Sequence, residues 1–163
     1  MTLERTSIGD LIIASHHTAL SVEDFEAARD FFVNVLGFEL EGEMDQRTDI
    51  APVVALPDAC VRWAMLNRNG YRLELFKYYT PAGERHGRRQ SDRGFTHIAL
   101  QVSDADEAYR RILGLGIRVT SPPTVMRNGA TKVIYLVGPE ENVIELLEMR
   151  GTANTASTNR KGA

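Results

Sequence analysis

Cysteine is almost absent: Cys60 is the only one in 163 residues. No intrachain disulfide is possible, any metal site must be built from histidine and carboxylate side chains, and a reducing cytoplasm is the compartment that fits. Long apolar runs are missing too. None approaches the roughly 20 residues needed to span a bilayer, so no membrane partner is expected. The opening stretch, MTLERTSIGDLIIASHH, carries acids early and no extended apolar segment, which argues against a secretory signal. There is no excess of positive charge either. A net charge of −3 gives no general electrostatic grip on nucleic acid. What remains, 43% apolar and 25% charged residues, is the make-up of a soluble globular chain, long enough for one compact domain or two small modules sharing a core.

The chain repeats itself. His17-Thr-Ala-Leu-Ser-Val22 and His97-Ile-Ala-Leu-Gln-Val102 share four of six residues at an offset of 80. Glu23–Ala28 then lies over Ser103–Ala108, Leu36-Gly37-Phe38 over Leu115-Gly116-Ile117, and Arg72-Leu73-Glu74-Leu75-Phe76 over Val143-Ile144-Glu145-Leu146-Leu147. Matches in the same order in both halves imply duplication of one module.

Each half reads as βαβββ. His17–Val22 and His97–Val102 alternate like strands. Asp24 and Asp104 stand where helix N-caps belong. Residues 25–35 place Phe25, Ala28, Phe32 and Val35 on one stripe before Gly37, and residues 105–113 do the same with Ala105, Ala108, Ile112 and Leu113. Strands are expected near 38–44, 61–67 and 71–78, and near 117–120, 131–137 and 143–149. The fold class is therefore α+β, two tandem βαβββ modules: an N-terminal extension (1–15), a first module (16–78), a polar linker or flap (79–94), a second module (95–150) and a disordered tail (151–163).

Alternation carries the functional expectation, because neighbours on a strand point to opposite faces. Leu73 and Leu75 oppose Glu74, and Ile144 and Leu146 oppose Glu145. His17 and His97 oppose the apolar residues of their own strands. An ionised carboxylate buried in mid-strand costs several kcal/mol unless it is paired or bound to metal. A lone strand histidine is more often structural, and a lone glutamate is more often salt-bridged. Two of each at matched places in a repeat have one economical explanation: the modules meet about a pseudo-twofold axis, and His17, Glu74, His97 and Glu145 ligate one divalent cation. Imidazole and carboxylate donors suit Zn²⁺, Ni²⁺, Co²⁺, Mn²⁺ or Fe²⁺. His16, of opposite parity, reads as structural or surface, and His86 as solvated.

These motifs, with the turn Gly138-Pro139-Glu140-Glu141-Asn142, resemble the vicinal oxygen chelate superfamily over about residues 12–149. That superfamily comprises glyoxalases, bleomycin-resistance proteins and extradiol dioxygenases. The resemblance implies a curved mixed-sheet cup around the metal, and a homodimer. It is nearest to the glyoxalase I-like members with four ligands, because Glu74 stands where the ring-cleaving dioxygenases and fosfomycin transferases have a non-ligand. The implied function is a divalent-metal-dependent lyase or isomerase, acting through metal-stabilised enediolate chemistry on a small carbonyl or thioester substrate. Glu145 is the first candidate for the catalytic base and Glu74 the second. Trp63, Arg62, Phe76, Tyr78 and Tyr135 are candidate pocket residues, and the linker arginines Arg85, Arg88, Arg89 and Arg93 could attract an anionic substrate. One alternative is a dioxygenase using His17, His97 and Glu145. The other is a non-catalytic, drug-binding protein, a class that usually lacks the ligands.

Overall fold

The computed structural model describes residues 8–84 and 89–150. They fall into two compact units, Met1–Arg85 and His86–Ala163. The expected tail, His86, Arg85 and Arg88 lie outside the described residues. Among the described residues no helix is long and apolar enough to cross a membrane.

In the first unit, strand β1 (Thr18–Ser21) leads into helix α1 (Phe25–Asp30), then β2 (Glu39–Arg47), a short α2 (Ala51–Val54), β3 (Cys60–Arg68) and β4 (Tyr71–Thr80). The sheet order is β1-β4-β3-β2. In the second unit, β5 (His97–Val102) leads into α3 (Ala105–Gly114), β6 (Thr124–Met126), β7 (Thr131–Val137) and β8 (Val143–Met149), in the order β5-β8-β7-β6. Each unit is thus a four-stranded mixed sheet in which the first strand runs parallel to the last and the others pair antiparallel. The tandem βαβββ reading holds.

The local signals account for the helices. The Asp24 carboxylate accepts from the Ala27 N–H at 3.0 Å, and Asp104 accepts from the Glu107 N–H at 2.9 Å. Each satisfies a donor that the first turn leaves unpaired. Gly37 and Gly116 follow the helices at φ +71° and +70°, a left-handed conformation open to glycine at little cost. Asp24→Ala should therefore destabilise the protein by about 1 kcal/mol, read as a lower urea midpoint with an unchanged slope.

The cores lie on the helix-covered faces. Phe25, Ala28, Phe32, Leu66, Leu73 and Leu75 are buried in the first unit, and Ala105, Ile134, Leu136 and Ile144 in the second. Phe32 and Phe38 meet edge to face at 5.6 Å, and Phe38 meets Tyr71 at 6.4 Å, within the range favoured by aromatic pairs.

One expectation is corrected, and two elements are refined. The first helix is not uniform: α1 ends at Asp30 and continues as a π-turn over Phe31–Val35. Residues 117–120 do not form a ladder strand. Val119 makes one isolated bridge to Leu136, and the pairing strand is β6, beyond Pro122 and Pro123. Neither proline has an N–H to give a ladder, so the chain leaves β7 and rejoins it at Thr124. Finally, α2 lies between the second and third strands of the first unit, where no element is expected from the sequence.

Candidate functional site

Strand pairing builds the same constellation in each unit. In the first, Ala19 pairs with Glu74 across β1 and β4, with His17 two residues before Ala19. In the second, Ala99 pairs with Glu145 across β5 and β8, with His97 two residues before Ala99. Both pairs sit on the face opposite the helix. His17 Nε2 lies 3.0 Å from Glu74 Oε2, and His97 Nε2 lies 2.9 Å from Glu145 Oε2. The two glutamate side chains are 12% and 16% exposed, so each carboxylate is largely shielded and needs the partner it has. Within either unit taken alone, no group of three or more His, Cys, Asp or Glu side chains of metal-binding geometry forms among the described residues.

Sequence reading missed what surrounds the first pair. Nδ1 of His17 lies 2.7 Å from Nδ1 of His16, and Arg72 Nη1 donates to His16 Nε2 at 3.3 Å. His16, expected to be structural or surface, is exposed and occupies the far side of the His17 ring, leaving His17 Nε2 toward Glu74. Arg72 is itself paired with Glu41 at 2.9 Å. Trp63 Nε1 donates to Glu74 Oε1, a contact that only the β3–β4 register discloses. Met65 stands directly opposite Glu74, and Trp63 opposite Phe76, which makes Trp63 the diagonal neighbour of Glu74.

The other pocket candidates divide by face. Trp63, Phe76 and Tyr78 share the face of Glu74, and the Phe76 and Tyr78 rings lie 6.0 Å apart. Tyr135 stands directly opposite Glu145, with its ring 5.3 Å from that of His97. Burial, reinforced by the Glu145 charge, pushes the Tyr135 phenol up. Arg62 points the other way. Its Nε donates to Glu43 at 2.9 Å, it also pairs with Glu26, and its guanidinium lies 4.4 Å from the Phe25 ring centroid. Hydrogen bonding to Glu43 and then Glu26 holds it further into the charged form, a role in joining helix to sheet. Of the linker arginines described, Arg89 is engaged by Asp92 at 3.3 Å and Arg93 is exposed.

Comparison with known proteins agrees with this architecture. A family model described as the Glyoxalase/Bleomycin resistance protein/Dioxygenase superfamily matches residues 14–146. A 2-epi-5-epi-valiolone epimerase from an Actinomyces species is 32% identical over 148 residues, covering 84% of this chain and 80% of that protein. A lactoylglutathione lyase from Salmonella typhimurium is 31% identical over 136 residues, covering 82% of this chain and 91% of that protein. Among solved structures, a glyoxalase family protein from Bacillus cereus superposes with a TM-score of 0.77 at 22% identity, covering 92% of this chain and all of that one. With the duplicated βαβββ units and a family match over most of its length, this chain belongs to the glyoxalase/bleomycin resistance protein/dioxygenase superfamily.

Proposed function

We propose that this protein is a divalent-metal-dependent lyase or isomerase that moves a proton at a carbon beside a carbonyl group. The observation that carries the proposal is the matched imidazole–carboxylate pair, once in each unit, at the same strand register. Each pair offers one nitrogen and one carboxylate donor on a shielded face, a set suited to Zn²⁺, Ni²⁺, Co²⁺, Mn²⁺ or Fe²⁺ rather than to Ca²⁺. His17, Glu74, His97 and Glu145 would hold the ion together, either in one chain or between two copies in a homodimer. When bound, such an ion supplies Lewis-acid stabilisation of negative charge on a substrate oxygen.

The remaining work falls to the chain's own residues. Glu145 takes the proton from carbon and returns it; among the described residues its close polar contact is His97, which leaves one carboxylate oxygen available. Glu74 is tied on both oxygens and acts as a ligand. Phe76 and Tyr78 in the first unit, and Tyr135 in the second, each offer aromatic surface beside their own unit's pair. That relatives include an epimerase and a lyase supports proton transfer over ring cleavage, as does a second glutamate beyond a two-histidine, one-carboxylate set.

Metal analysis tests the proposal first. Protein purified without added metal should retain a substantial fraction of an equivalent, and at a hundredfold excess over Kd a saturating ion should add about 2.7 kcal/mol of stability. Recovery of next to no metal, with no rise in Tm on adding Zn²⁺, Ni²⁺ or Co²⁺, would leave a non-catalytic binding protein as the better description.

A further inference from the structure

We propose that Trp63 is the positioning residue for Glu74: its indole N–H holds one carboxylate oxygen so that the other stays turned toward His17 and the ion they share. The proposal rests on the metal-dependent reading above and adds a division of labour between the two glutamates.

The geometry makes the restraint specific. Glu74 Oε2 is 3.0 Å from His17 Nε2, and Oε1 accepts from Trp63 Nε1. A carboxylate's terminal torsion is broad and soft, so a free glutamate samples many orientations. Engaging Oε1 with an N–H donor converts that rotor into a fixed group, because rotation would break a charge-assisted hydrogen bond at a shielded site. Indole nitrogen is donor-only, so this bond exists only toward the ionised or acceptor oxygen and cannot reverse.

Trp63 is itself held. Arg47 lies over its ring at 5.4 Å from the centroid, within cation–π range. The Arg47 guanidinium is gripped in turn by Asp49, through Nε at 3.0 Å and Nη2 at 2.8 Å. The Asp49 bond, then the Asp49 charge and last that of Glu74, hold Arg47 further into its charged form. Asp49, Arg47, Trp63 and Glu74 thus form one supported line across the face of the sheet. Among the described residues the second unit has no counterpart: the diagonal position that Trp63 holds beside Glu74 is held beside Glu145 by Val133, opposite Leu147, whose side chain has no donor. The residue opposite Glu145 is Tyr135, whose ring goes against His97, and among the described residues no hydrogen bond joins its hydroxyl to Glu145. One glutamate is clamped and the other is left able to move, which is what a permanent ligand and a proton carrier respectively require.

Trp63 is the only tryptophan in the chain, so a ¹⁵N-labelled sample gives a single indole N–H signal that needs no assignment by mutation. In the metal-free full-length protein that signal should lie downfield of an exposed indole and exchange slowly with solvent. Glu74→Gln should move it upfield, and ZnCl₂ should shift it in step with binding. Trp63→Phe keeps the ring and removes the donor; its Zn²⁺ affinity, measured by chelator competition, should fall about 10–100-fold. An indole signal at the exposed position, unmoved by Zn²⁺ that does bind, overturns the proposal, as does a Trp63→Phe affinity within twofold of wild type. Should the variant fail to fold, the wild-type spectra alone decide. Wild-type protein that takes up no Zn²⁺ sinks the metal-dependent reading itself, and this one with it.

Discussion

Glu145→Gln should lower the rate of proton exchange at substrate carbon by roughly 10²–10⁴-fold, the usual contribution of a positioned general base. The change is nearly isosteric and keeps an oxygen acceptor toward His97, so the loss falls on the base and not on the fold. The measurement is the disappearance of the substrate C–H signal in D₂O, followed by NMR at equal metal content. A suitable panel contains small 2-oxo compounds and acyl thioesters. Glu74→Gln is the informative control. Glu74 meets His17 and Trp63; on the proposed reading it serves as a metal ligand, so part of its loss should return when the metal concentration is raised. The Glu145→Gln loss should not return. Exchange by Glu145→Gln within tenfold of wild type would move the base assignment away from Glu145, with Glu74 next in line.

Much of this site was legible in the sequence because duplication prints its evidence twice. The offset between His17 and His97 and that between Glu74 and Glu145 locate two strands each, and period-two alternation then puts each pair on the face away from the helix. The strand β5 occupies the residues read for it, and Asp24 and Asp104 cap as their position before an apolar stripe implies. What stayed hidden depends on partners remote in sequence. Trp63 and Arg62 are neighbours on β3, and nothing local says which of them faces Glu74. The register decides: Trp63 opposite Phe76, Arg62 opposite Lys77. The interchange of 117–120 with β6 has a similar cause. Ile117, Val119 and Thr120 carry strand-like side chains, and Thr120 N–H does reach Tyr135 O at 2.9 Å. The Pro122-Pro123 step then defers the ladder to Thr124. His16 was read by parity alone, yet its ring reaches His17 from outside the strand, where parity has no authority.

The largest structural effect is expected at Phe25. Its side chain is fully buried at the start of α1, and the Arg62 guanidinium lies 4.4 Å from its ring centroid. Phe25→Ala removes the ring from a packed core and should cost about 3–5 kcal/mol. A lost cation–π contact of about 0.5–2 kcal/mol is to be expected within that figure or slightly beyond it. Against the roughly 5–15 kcal/mol typical of a whole domain, this is about a fifth or more of the stability, visible in a urea titration as a large drop in midpoint. The consequence reaches the other face of the sheet. Phe25 is buried on α1, which packs against β4, where the buried Leu73 and Leu75 flank Glu74, and Arg62 is tied both to Glu26 on that helix and to Glu43 on β2. Loosening the helix therefore relaxes the strand from which Glu74 projects, and on the proposed metal-dependent reading metal retention should weaken along with stability although Phe25 lies on the helix-covered face of the sheet. A loss below about 1 kcal/mol, the centre of the distribution for ordinary substitutions, would mean that α1 is not what holds β4, and that Glu74 owes its orientation to Trp63 and His17 alone.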